Sequence, residues 1–129
     1  MERVVRPFIT ERYYFEEVRL ANERIYSQLL DNLNKAAVVG FPYEEVSKRL
    51  IAAWSGPSAQ TVTFAQVQDC INRFRAYCLE HNLLDFSLQI ELFRVLLQHD
   101  WFRDKLYRRY RHLIFDNIEE GTPIICYEE

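Results

Sequence analysis

Glycine is scarce in this chain: three in 129 residues, at Gly40, Gly56 and Gly121, with only four prolines beside them. So few turn-formers exclude an all-β fold with many tight turns and point to long helices. The same scarcity excludes a phosphate-binding loop, because none of the three glycines leads into a Lys-Ser or Lys-Thr pair. Cysteine is equally sparse. Cys70, Cys78 and Cys126 have no metal-like spacing, and Cys70 and Cys78 lie two helical turns apart, too far for a local disulfide. Reduced thiols in a cytoplasmic protein are the expectation. The N-terminus has no apolar core of a signal peptide, and no apolar run reaches membrane-spanning length.

What is present is apolar and aromatic. Apolar residues make up 49% of the chain and aromatic ones 15%, enough to build a core dominated by large rings. The net charge of −3 leaves nucleic-acid binding to local basic patches rather than to the chain as a whole.

Periodicity predicts about five helices in a bundle-like domain over residues 1–110. Residues 1–9 read as an extended lead-in ending at Pro7-Phe8-Ile9. A first helix over 11–35 is marked by Phe15, Val18, Asn22, Ile25, Leu29, Leu33 and Ala36 at three- and four-residue steps. Gly40-Phe41-Pro42 stops it. Val46, Leu50, Ile51 and Trp54 mark a short second helix. Thr63-Phe64-Ala65-Gln66 has the form of a capping box opening a third, with Phe64, Val67, Ile71, Phe74 and Cys78 as its stripe. Asp85 or Ser87 caps a fourth helix, Leu88 to Gln98, apolar on several sides and therefore expected to be central. Asp100 caps a fifth, Trp101 to about Tyr110. A short strand over 112–115 follows, then an acidic loop. A lone strand cannot pair with itself, so residues 111–129 read as an incomplete unit whose sheet belongs to sequence outside this chain.

Three groups of residues carry candidate chemistry. Arg103, Lys105, Arg108, Arg109, Arg111 and His112 are interleaved with Trp101, Phe102, Tyr107 and Tyr110. Cations of this kind meet phosphates while rings stack on bases. The plain alternative is an amphipathic helix with Phe102 and Leu106 inward and the arginines in water. Arg3, Arg6, Arg12, Arg19 and Arg24 form a looser basic scatter, in which helical spacing pairs Arg12 with Glu16 and Arg19 with Glu16 and Glu23. His81, His99 and His112 are too dispersed for a metal site. The third group, Asp116-Asn117-Ile118-Glu119-Glu120, follows an apolar run, the pattern in which a strand end presents a carboxylate to the Mg²⁺ of a bound nucleotide, as in a Walker B motif.

Leu84-Asp85-Phe86-Ser87-Leu88-Gln89-Ile90, then Trp101-Phe102-Arg103, then Tyr110-Arg111-His112-Leu113-Ile114-Phe115-Asp116 together resemble the approach to motif II in UvrD/Rep-like superfamily I DNA helicases. The likeness covers roughly residues 84–123. Residues 1–83 are similar only in kind, to the helical 1B insertion of such enzymes. The resemblance implies a fragment of a helicase-related, ATP-dependent DNA-processing protein, either a piece of a longer chain or a decayed relative. It implies DNA, single-stranded or at a junction, as partner, and Mg²⁺ and ATP as cofactors of a full-length parent only. Asp116 falls on the metal-binding aspartate. Asn117 falls where the family has its catalytic glutamate, and an amide accepts no proton at neutral pH. Glu119 and Glu120 fall where the family has Gln and Asp. Without a phosphate loop the chain is not expected to be an autonomous ATPase. The competing reading is a non-enzymatic helical module that docks a protein partner.

Overall fold

The computed structural model describes residues 1–58, 60–112, 114 and 116. The protein is mainly α-helical. Among the described residues there are six α-helices: α1 Glu2–Glu11, α2 Asn22–Val39, α3 Val46–Ala53, α4 Gln60–Glu80, α5 Phe86–Leu97 and α6 Asp100–Arg109. A 3₁₀ turn, Tyr43–Glu45, leads into α3.

The first helix is the one not expected. Residues 2–11 are helical with Pro7 inside, although proline removes one helical hydrogen bond. Burial outweighs that loss: Val5 is fully buried, and Met1, Val4 and Ile9 pack against the core. The helix expected over 11–35 is broken for a related reason. Residues 12–21 form an irregular loop in which Tyr13 and Phe15 adopt left-handed backbone, φ 55° and 62°. Side chains of α4 hold this loop. The Phe15 N–H donates to Gln66 Oε1 at 2.9 Å, and the Tyr14 hydroxyl donates to Asp69 Oδ2 at 3.0 Å. Phe15 is thereby buried in the core, as its place in the apolar stripe implied.

From Ile25 onward the stripe behaves as expected. Ile25, Leu29, Leu33 and Ala36 are buried in α2, while Asn22 is exposed. Gly40 closes the helix in left-handed conformation, φ 88°, with its N–H bonded to Ala36 O. The capping box at Thr63 does not form, because α4 begins three residues earlier, at Gln60. Gln66 is committed to Phe15 instead. Gln68 plays the parallel part on the other side: it accepts from Ser47 N at 2.9 Å and donates to Tyr43 O at 3.0 Å, pinning the turn before α3.

The central element is α4, not the helix over 88–98. Helix α4 buries Cys70, Ile71, Phe74, Arg75 and Cys78 and packs against α1, α2 and α3. Helix α5 lies on α2 and buries only Ser87. Its apolar residues exceed what one contact face can cover, so Phe86, Leu92, Phe93 and Val95 remain more than 40% exposed. Among the described residues helix α6 packs on α5 alone and buries nothing fully. No strand occurs among the described residues. Of the strand expected over 112–115, His112 and Ile114 are exposed and outside any ladder, and among the described residues no second strand is there to pair with them. Leu113 and Phe115 lie outside the described residues.

The contrast between α2 and α5 is measurable. Leu33→Ala lowers the stability by about 3 kcal/mol in urea unfolding, because it empties a fully enclosed site. Leu92→Ala, on half-exposed α5, changes it by less than about 0.5 kcal/mol. A large loss at Leu92 would restore α5 to the core.

Candidate nucleic-acid interface

The α5–α6 hairpin is anchored at its root by one buried charge. Arg75 of α4 is 2% exposed. Its Nη1 donates to Asp85 Oδ1 at 3.0 Å, and its Nη2 donates to Ser87 Oγ and Glu91 Oε1, each at 2.8 Å. The Tyr43 ring covers the guanidinium, centroid to Cζ 5.0 Å. Asp85 also caps α5, accepting from Leu88 N, and takes the Ser87 hydroxyl at 2.7 Å. Of the two residues expected as caps, Asp85 is the cap; Ser87 lies inside α5, as its second residue, and donates to Asp85. Arg75 itself carried no sequence signal beyond a charge at a position that faces inward on α4.

Glu91 completes the cluster at its more open side. Burial, with the carboxylates of Asp85 and Glu44 nearby, pushes its pKa above the ordinary carboxylate range, against the opposing pull of Arg75 and Arg94. Buried Cys70 has its thiol pushed up to about 12, chiefly by desolvation, and burial raises Cys78 too. Both are free, buried thiols suited to packing rather than nucleophilic work. Cys126 lies outside the described residues.

Beyond this anchor, α6 presents the basic and aromatic residues singled out in the sequence. Phe102 and Leu106 turn inward and are half-buried, and Phe102 meets Phe93 of α5 edge-on at 5.9 Å. Everything else on the helix faces water. Trp101 is 58% exposed, Tyr107 75% and Tyr110 55%. Arg103 pairs with Asp100 one turn back. Lys105, Arg108, Arg109 and Arg111 form no ion pair among the described residues, and Arg109 lies over the Tyr110 ring at 5.7 Å. His99, not Asp100, occupies the capping position; Asp100 is the first helical residue, where its charge still suits the helix N-terminus. The structure therefore brings all five candidate basic residues to one helix and its C-terminal edge.

The looser basic scatter is dispersed. Arg6 pairs with Glu2, and Arg12 lies over the Phe8 ring at 5.2 Å. The pairs of Arg12 and Arg19 with Glu16 and Glu23 do not form, because the loop over 12–21 breaks the helical spacing they require. His81 is occupied with Tyr77, its Nδ1 3.0 Å from the Tyr77 carbonyl and its ring stacked at 4.0 Å.

Of the nucleotide-site candidates, Asp116 is exposed, and Asn117, Glu119 and Glu120 lie outside the described residues. Among the described residues no group of three or more His, Cys, Asp or Glu side chains could hold a metal. No helix among the described residues is long and apolar enough to cross a membrane. No family model, curated protein or solved structure matches the chain.

The Glu91 geometry has a pH signature. A carboxyl whose folded pKa lies above its unfolded value stabilises most at low pH, and that contribution is lost as pH rises through the folded value. Glu91→Gln keeps an acceptor for Arg75 without the buried charge. Its stability, measured by urea unfolding from pH 4 upward (about the ordinary Glu pKa), falls less with rising pH than that of the parent. Parallel curves would show that Glu91 titrates normally.

Proposed function

We propose that this chain is related to the UvrD/Rep-like superfamily I DNA helicases and contributes a DNA-contact surface to an ATP-dependent DNA-processing protein. The observation that carries the reading is α6, which holds Lys105, Arg108 and Arg109 in water, without ion-pair partners among the described residues, on a helix packed only against α5. Supporting it, Asp85 opens α5 as the resembled pattern requires, and a basic, aromatic helix follows it directly. In this reading Asp116 joins a Mg-nucleotide site only alongside phosphates and donors from outside the chain. With Asn117 in the glutamate position and no phosphate loop, the chain hydrolyses nothing by itself.

A second reading is favoured by a different observation. Leu92, Phe93 and Val95 leave an apolar strip of α5 in water, the kind of surface a non-enzymatic helical module offers to a protein partner. It predicts concentration-dependent association and no affinity for DNA.

Fluorescence anisotropy with labelled DNA separates the two. The chain binds at low salt, binding weakens steeply as salt rises, and replacing Arg108 and Arg109 by Ala weakens it while lowering the salt slope by roughly two. Absence of binding at about 50 mM salt contradicts the DNA reading. A separate measurement addresses nucleotide. Mg²⁺ and ATP leave the melting temperature of the chain unchanged, and a clear Mg-dependent rise would overturn the account of the absent phosphate loop.

A further inference from the structure

Helix α5 carries more apolar surface than its packing uses, and the surplus is ordered. Phe86, Gln89, Leu92, Phe93 and Leu96 recur at three- and four-residue steps, with Val95 three beyond Leu92, so they share one side of the helix. No charge interrupts that side. The two charged residues of α5 are Glu91, held by Arg75, and Arg94, which projects about 160° away from Leu92. Phe86, Leu92, Phe93 and Val95 are exposed there. Phe93, at the border, meets Phe102 of α6 edge-on at 5.9 Å, so α6 runs beside this face. Residues 100–111 hold five basic residues against two acidic ones, and one of the acids, Asp100, is paired with Arg103. An uncharged apolar face is thus bordered by an excess of positive charge, in a chain whose net charge is −3.

We propose that the outer face of α5 docks an acidic amphipathic helix of a partner protein, with the partner's apolar stripe on Leu92, Val95 and Leu96 and its flanking carboxylates toward the cations of α6. The proposal rests on the protein-docking reading of this strip and deepens it by naming the partner's chemistry. The backbone decides the partner's form. Among the described residues there is no strand and so no sheet edge, and an extended segment laid on α5 would find no ladder for its amides and carbonyls. A helix brings its hydrogen bonds with it and packs side-chain ridges into the grooves of α5. The face runs from Phe86 to Leu96, about 15 Å along the axis, which matches three turns of a partner helix. Charge decides the partner's sign. A basic flank meets the cations of α6 at like charge, whereas an acidic flank meets them at opposite charge. The same argument disfavours a second copy, which carries the same positive helix beside the same face.

The test uses the full chain and two labelled synthetic peptides, each of about four helical turns with leucine at three- and four-residue steps. One peptide has glutamate on the flanks of its apolar stripe, the other lysine. Binding is followed by anisotropy at about 50 mM salt and again at higher salt. The glutamate peptide binds roughly tenfold more tightly than the lysine peptide, and the gap narrows as salt rises. Leu92→Ser combined with Val95→Ser weakens the glutamate peptide roughly tenfold, with helical circular dichroism of the chain unchanged. Equal binding of the two peptides overturns the acidic partner and leaves the protein-docking reading standing. Binding of the glutamate peptide that survives the double serine variant is charge attraction to α6 alone and overturns the proposal. Dimerisation in sedimentation that the serine variant abolishes, with neither peptide bound, assigns the face to a second copy and overturns the proposal while keeping the reading. A monomer that binds neither peptide overturns both.

Discussion

A guanidinium almost wholly removed from water organises the second half of this molecule. Arg75 cannot be buried alone, because the desolvation of an unpaired charge amounts to several kcal/mol. It therefore draws Asp85, Ser87 and Glu91 to itself from the segment ten to sixteen residues later. That demand sets where α5 starts and which face it turns toward α4. The turn between the two helices complies: Asn82 takes left-handed backbone, φ 53°, and Leu83 N bonds back to Cys78 O at 2.8 Å, closing α4. Once α5 is placed, α6 follows, since among the described residues α5 is the only helix it packs against. The basic, aromatic surface is thus displayed at the end of a chain of dependencies that begins at Arg75.

Helix α4 serves the first half of the molecule in a different way. Its amides and carboxylate capture loops: Gln66 takes Phe15 N–H, Asp69 takes the Tyr14 hydroxyl, and Gln68 takes the backbone on both sides of the 3₁₀ turn. These are neutral or partly exposed interactions, each contributing about 1 kcal/mol. They act by direction as much as by strength, since the two left-handed residues that flank Tyr14, Tyr13 and Phe15, need side-chain partners to hold them.

Legibility in the sequence follows the range of the forces involved. The stripe Ile25, Leu29, Leu33 and Ala36 was readable because one helix face and one core produce it. Asp85 as a cap and Phe102 with Leu106 as an inward face were readable for the same reason, as local patterns with local causes. Pro7 inside α1 was not, because the burial of Val5 that outweighs it depends on α4, far along the chain. Nor was the break at residues 12–21, which Gln66 and Asp69 impose from more than fifty residues away. Helix α5 misled because an all-round apolar helix reads as central, whereas here its surplus apolar surface faces water. The candidate basic residues were found by composition, and the fold added what composition lacks: that they share one helix with three exposed rings and few acidic neighbours. The acidic cluster after Asp116 belongs to the resemblance alone.

The dependence of the hairpin on Arg75 is open to one direct measurement: amide hydrogen exchange of the parent and of Arg75→Ala, followed helix by helix. Without the guanidinium, Asp85 and Glu91 repel each other and α5 loses its tie to α4. Protection falls first and most in α5 and α6, while α2 and α4 keep theirs. Equal loss in every helix, or no loss in α5 and α6, would contradict the account.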